Sequence, residues 1–192
     1  MPPRASLRTA IIALAVLASL LPAAGRAEAP VEALREAMVL RLEAMPDVAR
    51  HKWNNGSPVE DLPREQVVIE AAVREGEGLG LADSVVRPAV AAQIEAAKAV
   101  QAALIVRWTA EESGPFAGVP DLASVLRPQV QEATSAFLRA LAGALADLRE
   151  CAAVLELRAL PPALSDHPEA WRIAAEGVLA AAQGAAAPAC SP

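Results

Sequence analysis

The sequence predicts an all-α protein, a single helical domain of about five to six helices, on three observations. Alanine is heavily represented within a hydrophobic content of 54%, whereas aromatic residues make up only 3% and tyrosine is absent. That composition favours packed helices over sheets, whose strands draw on β-branched and aromatic residues. Apolar residues recur at helical spacing, first in VEALREAMVLRLEAM (31–45). No stretch alternates as a half-buried strand does, and no internal repeat is visible. The length of 192 residues fits one domain with an extension.

The extension is the N-terminus. Arg4 and Arg8 give a basic start, AIIALAVLASLL (10–21) is an apolar run, and Gly25 and Ala27 are small residues at the −3 and −1 positions of a cut after Ala27. This is the layout of a secretory signal peptide, and the run is short for a membrane span, which needs about 20 apolar residues. The reading is therefore a leader over 1–27 and a mature helical domain over 28–192. A retained N-terminal anchor is the alternative.

The elements follow in order. A helix runs over 31–45, is broken or kinked at Pro46, and continues through Trp53 with Asp47 as its cap. NNGSP (54–58) is a turn. A second helix spans Asp61 to about Glu75, with Asp61 as cap and Pro63 in the first turn, and GEGLG (76–80) ends it. A long helix covers 84–112, with Pro88 tolerated near its start. SGPFAGVP (113–120) is a loop. Asp121 opens another long helical stretch to about Leu160, with Pro128 near its beginning. PPALSDHP (161–168) is a second loop, and 169–184 is the last helix.

Charge and cysteine usage narrow the function classes. The chain carries 17 basic and 23 acidic residues; three of the basic ones (Arg4, Arg8, Arg26) lie in the leader, so the mature chain has 14 against 23, a net charge of −9. Nucleic acid and anionic membrane are poor partners for it, and any anion site must be a local gathering of cations. The two cysteines, Cys151 and Cys190, read as a disulfide in an oxidising compartment. In the chain-entropy description such a link contributes about 4 kcal/mol. With two Cys and two His (His51, His167) at no ligand spacing, no metal site is expected. The same scarcity leaves no Ser-His-Asp or Cys-His grouping for an exported hydrolase.

The stretch HKWNNGSPVEDLPRE (51–65) holds Lys52, Asp61, Arg64 and Glu65. Arg41 precedes Lys52 by eleven residues, about three helical turns with a facing error of roughly 20°. Asp61 and Arg64, three apart, share a face. On the next helix Ala97 and Gln101 are an i, i+4 pair, while Glu95 and Lys98 lie elsewhere around it and can pair with each other. Arg127 stands at the start of the fourth helix, where backbone N–H groups also favour anions. Taken singly, each has a plainer reading: Arg41 as a solvated helix arginine, Lys52 as a surface lysine, Asp61 as a cap, Arg127 as a helix-end partner, Gln101 as a buried structural hydrogen bond. Trp53, Trp108 and Trp171 read as core anchors, and the two histidines as surface residues.

That spacing, Arg41-x10-Lys52-x8-Asp61-x2-Arg64-Glu65 followed by Gln101, resembles the all-helical AroQ-type chorismate mutases. The leader, the order RLE, HKW, SPVED, the LRP at 126–128 and the Cys151/Cys190 pair resemble the secreted, gamma branch of that family, over about 31–190. The resemblance implies rearrangement of chorismate to prephenate, without cofactor, in the periplasm or outside the cell. It implies a pocket completed within one chain by Arg127, and a homodimer. Catalysis would need the dicarboxylate held in its reactive conformer and donors aimed at the breaking ether oxygen.

The resemblance assigns roles residue by residue. Arg41 and Arg127 clamp carboxylates; Lys52 bridges a carboxylate and the ether oxygen; Gln101 donates to that oxygen. Arg64 adds positive field or positions the ring carboxylate, and Glu65 with the backbone around Asp61 holds the substrate hydroxyl. Ala97 stands where relatives carry a hydroxyl or amide that touches substrate. Because Gln101 donates at any pH, a rate nearly flat from about pH 5 to 8 is expected. The alternative is an exported helical binding protein that kept the scaffold and lost the chemistry.

Overall fold

The computed structural model describes residues 29–184 and Cys190; the expected leader over 1–27 lies outside them. Among the described residues there are helices and connections but no strand. Seven α-helices follow one another: α1 (Pro30–Glu43), α2 (Met45–Asn55), α3 (Leu62–Gly78), α4 (Asp83–Ala110), α5 (Arg127–Ala144), α6 (Cys151–Arg158) and α7 (Pro168–Gln183).

The longest helix, α4, lies at the centre. α7 packs along one side of it, α1, α2 and α3 meet its other faces, and α5 packs on α1 and α3. The α4–α7 contact is close because Gly177 lacks a side chain: a Cβ there would lie 2.1 Å from the Ala92 Cβ. The core joins Leu34, Met38 and Leu42 of α1 with Phe137, Leu138 and Leu141 of α5 and Trp171 and Val178 of α7.

Helix starts follow local chemistry. Asp61 caps α3 by accepting the Arg64 N–H at 3.2 Å, and Glu65 reaches back to accept the Asp61 N–H at 3.2 Å, the reciprocal arrangement of a capping box. Asp121 accepts the Ala123 and Ser124 N–H groups at 3.0 and 2.8 Å.

Four expectations need correction. Asp47 does not cap: α2 starts one residue past the end of α1 with Pro46 in its first turn, and Asp47 instead pairs with Arg50 at 2.8 Å. The GEG of 76–78 is still helical, so α3 runs three residues into the expected breaker, to Gly78, with Leu79 as its C-cap. The stretch from Asp121 begins as a wide π turn over Leu122–Leu126 before α5. It does not run on to Leu160, because the chain bends after α5 through a short 3-10 turn, Asp147–Arg149, and restarts as α6. That bend seats Leu148 fully inside the core, where the Gln183 amide donates to its carbonyl at 2.6 Å. Cys151, at the start of α6, is disulfide-bonded to Cys190. Of the three tryptophans, Trp108 and Trp171 are buried and Trp53 is half-buried. Both histidines are half-buried.

Candidate active site

A cavity of about 600 Å³ opens between α1, α2, α3, α4 and α5, with the 57–61 loop as one lip. Every residue singled out from the sequence reaches it: Arg41 from α1, Lys52 from α2, Asp61, Arg64 and Glu65 at the start of α3, Ala97 and Gln101 from α4, Arg127 from α5. Ala44, between α1 and α2, keeps near-helical angles (φ −73°, ψ −17°), so the eleven-residue spacing survives Pro46 and Arg41 and Lys52 still face the same space.

Arg41 is not a solvated arginine. Only 3% exposed, it donates through Nε to the Thr134 hydroxyl at 3.3 Å and through one terminal nitrogen to the Gln93 carbonyl at 2.6 Å. Thr134 in turn donates to the Val130 carbonyl at 2.8 Å. Two contacts, from α4 and α5, thus fix the plane of the guanidinium. Burial pushes its pKa down to about 10, so it stays cationic at neutral pH.

Lys52 is half-buried and donates to the Val59 carbonyl at 2.6 Å. An ammonium has three donors, so this bond orients the group and leaves two for a ligand. Burial is the main cause that lowers its pKa; Asp61 and Glu65 work against that, whereas Arg127 and Lys98 add to it. The loop that offers Val59 follows Gly56, whose left-handed φ of 59° ends α2.

Arg127 reaches the cavity because the loop before it is anchored. Asn54 and Phe116 exchange two hydrogen bonds of 2.8 Å, and Trp53 donates to the Gly114 carbonyl at 3.3 Å. Trp108 packs between Trp53 and Phe116, ring centroids 5.9 and 4.6 Å away. The backbone at Arg127 is not the open helix start expected of it: its N–H already bonds to the Leu122 carbonyl across the π turn. What Arg127 offers is its side chain. Its guanidinium and that of Arg64 make no hydrogen bond or ion pair among the described residues.

Gln101 is 4% exposed; its amide nitrogen donates to the Ala97 carbonyl at 3.1 Å and touches the Met45 sulfur at 3.4 Å, while Oε1 has no partner. A thioether is a weak acceptor, so the second amide hydrogen is available to a better one. Around Asp61 the backbone is committed: its N–H goes to Glu65 and its carbonyl accepts the Glu65 N–H at 2.8 Å. The Asp61 N–H is thus taken, while the Glu65 carboxylate keeps acceptor capacity beyond the bond it receives there.

The residue-level reading missed Thr134 and the carbonyls of Gln93 and Val59, which position the cations, and it set Lys98 apart. Lys98 does pair with Glu95, at 2.7 Å, but it also lines the cavity and meets Glu65 at 3.2 Å. A second groove lies between α1 and α5, beside Pro161 and Pro162; none of the expected site residues reaches it.

Comparison with known proteins points to one family. A family model described as chorismate mutase type II matches residues 32–102, from the third residue of α1 to one residue past Gln101. The secreted chorismate mutase of Yersinia pestis is 41% identical over 71 residues, 37% of this chain and 38% of that protein. The monofunctional chorismate mutase of Enterobacter agglomerans is 34% identical over 110 residues, 56% of this chain and 59% of that protein. The aligned parts thus span less than two thirds of these curated relatives. Among solved structures, chorismate mutase from Burkholderia thailandensis overlays with a TM-score of 0.65 at 27% identity, covering 80% of this chain and 98% of that one. The secreted chorismate mutase from Yersinia pestis overlays with a TM-score of 0.54 at 26% identity, covering 77% and 94%. Over residues 32–102 the chain is thus similar to the type II chorismate mutases, and over most of its length it shares the all-helical fold of their solved structures.

Proposed function

We propose that the chain converts chorismate to prephenate, acting outside the cytoplasm after loss of residues 1–27. The observation that carries this reading is local charge. In a chain whose formal charge is −6, Arg41, Lys52, Arg64, Lys98 and Arg127 converge on one cavity whose acidic residues are Glu60, Asp61 and Glu65. Five cations against three anions leave an excess of two, which matches a dicarboxylate.

The rearrangement breaks an ether C–O bond and forms a C–C bond within one molecule, so nothing is transferred to the protein. Its residues have two tasks. Arg41, held in plane by Thr134 and Gln93, and Arg127, whose guanidinium is uncommitted, grip the carboxylates and impose the compact conformer. Lys52 and Gln101 each bring a donor to the ether oxygen as negative charge grows there, and both are already oriented before the reaction, Lys52 by Val59 and Gln101 by Ala97. Arg64 adds positive field or positions the ring carboxylate. Glu65 accepts the substrate hydroxyl.

Export is supported by the layout of residues 1–27, by the Cys151–Cys190 bond and by the secreted relative; periplasm and medium are both compatible with these. A homodimer follows from the family resemblance, and light scattering on the purified chain tests it. The second reading, an exported binding protein without turnover, rests on Ala97, an apolar residue in the cavity wall.

The test is turnover. The oxidised chain over 28–192 should consume chorismate, followed by loss of its ultraviolet absorbance, with prephenate as product. Lys52→Ala should lower kcat/KM by several orders of magnitude, the scale on which such preorganised donors act. A folded, oxidised wild type without turnover would refute the enzyme and favour the binding protein.

A further inference from the structure

Lys98 carries an arrangement that the roles above leave unused. Its ammonium faces three carboxylates: Glu95 at 2.7 Å on its own helix, Glu65 at 3.2 Å on α3, and Glu60 at 3.8 Å in the lip loop. Glu95 and Glu60 are largely exposed, but the side chains of Lys98 and Glu65 are each only 17% exposed. The other Glu65 oxygen accepts the Asp61 N–H. Glu65 is thus held from both sides, by the start of its own helix and by a cation from α4.

Without Lys98 the cavity would show a dicarboxylate an unneutralised, half-buried Glu65, and its excess of two positive charges would fall to one. Screening by water is weaker at such a site than on an open surface. We propose that Lys98 is a positioning residue for the dicarboxylate substrate, acting through Glu65. It neutralises that carboxylate toward the incoming dianion and fixes it where its remaining lone pairs receive the substrate hydroxyl. The inference rests on the proposed function and deepens it, since it states how one carboxylate is tolerated inside an anion site.

The contribution belongs to substrate and transition state alike, because Lys98 acts through the charge and placement of Glu65, which receives the hydroxyl and not the ether oxygen. It is therefore read in KM, with kcat nearly constant. The experiment measures kcat and KM for the wild type, Lys98→Met, Lys98→Arg, Glu65→Gln and the double variant Lys98→Met/Glu65→Gln. Expected are a KM raised about tenfold in Lys98→Met with kcat within about threefold, and a KM near the wild-type value in Lys98→Arg. In the Glu65→Gln background, Lys98→Met should add less than about a threefold change, because the charge it neutralises is gone. An equal penalty in both backgrounds, a loss confined to kcat, or a lowered melting temperature with unchanged kinetics would overturn the inference. If the wild type turns over and the Lys98 variants match it, this inference alone fails. A wild type inert toward chorismate removes the proposed function and this role with it.

Discussion

Exchange of Gln101 for glutamate turns a pH-independent donor into a titrating one, and the structure sets the size of the effect. The side chain is buried, its nitrogen lies 3.1 Å from the Ala97 carbonyl, and Oε1 has no partner. A carboxylate in that place would oppose an oxygen lone pair to the Ala97 carbonyl and lose water without gaining a donor, and both raise its pKa. Arg41 and Lys52 across the cavity pull the other way in the empty protein, but a bound dicarboxylate cancels much of their field. A rise of about 1–2 units above the ordinary glutamate value near 4.3 places half-protonation at roughly pH 5.3–6.3. Only the protonated form donates to the ether oxygen. For Gln101→Glu, kcat/KM should then fall about tenfold per pH unit above that range, reaching ~10- to 100-fold below its acid plateau at pH 7.5. The plateau should itself lie up to about tenfold below wild type, because one O–H must serve either Ala97 or the ether oxygen where the amide has two hydrogens. The wild type should stay flat from about pH 5 to 8, since no histidine or cysteine lines the cavity. Initial rates across that range, with thermal unfolding at each pH to establish that the variant is folded, decide the matter. A variant as flat as the wild type would refute donation by Gln101, and so would a wild type that loses kcat/KM steeply between pH 5 and 7.

Two further outcomes follow from burial and packing. Lys52 must be charged to act, and burial lowers its pKa below the usual 10.5 while Arg41 is pushed down to about 10; both shifts move the loss of charge to lower pH. The alkaline fall of kcat/KM should therefore begin below the range of an ordinary lysine, and a rate profile still level above pH 10.5 would contradict it. Gly177→Ala should cost about 1–3 kcal/mol from forcing α7 off Ala92, offset by about 1 kcal/mol of helix propensity. The net loss, up to about 2 kcal/mol, lowers Tm by up to roughly 8 °C for a domain of this size. Gly143→Ala, where nothing lies within 4 Å of the new Cβ, should raise Tm by up to roughly 4 °C. Differential scanning calorimetry reads both, and equal shifts in the two variants would contradict the close α4–α7 approach.

What the sequence made legible is what short-range chemistry decides. Asp61 with Pro63, and Asp121, mark helix starts because a carboxylate that accepts nearby N–H groups and a residue without an N–H are local signals. The spacing of Arg41 and Lys52 was readable because the chain between them stays almost helical. Two features were not. The bend at 145–150 contains no glycine or proline; it exists because Leu148 enters the core and Gln183, 35 residues later, holds its carbonyl. The burial of Arg41 depends on Thr134, 93 residues away, and on a carbonyl of α4. Lys98 shows the limit most sharply. It lies one residue, about 100° of helix, from Ala97 but three residues from Gln101, so helical spacing places it at the edge of the face that those two share. The first turn of α3 lies alongside α4 there, and Glu65 draws the long lysine side chain back over the cavity wall. Spacing along α4 leaves that edge position open to solvent or to the cavity, and the contact with Glu65 of a neighbouring helix decides it.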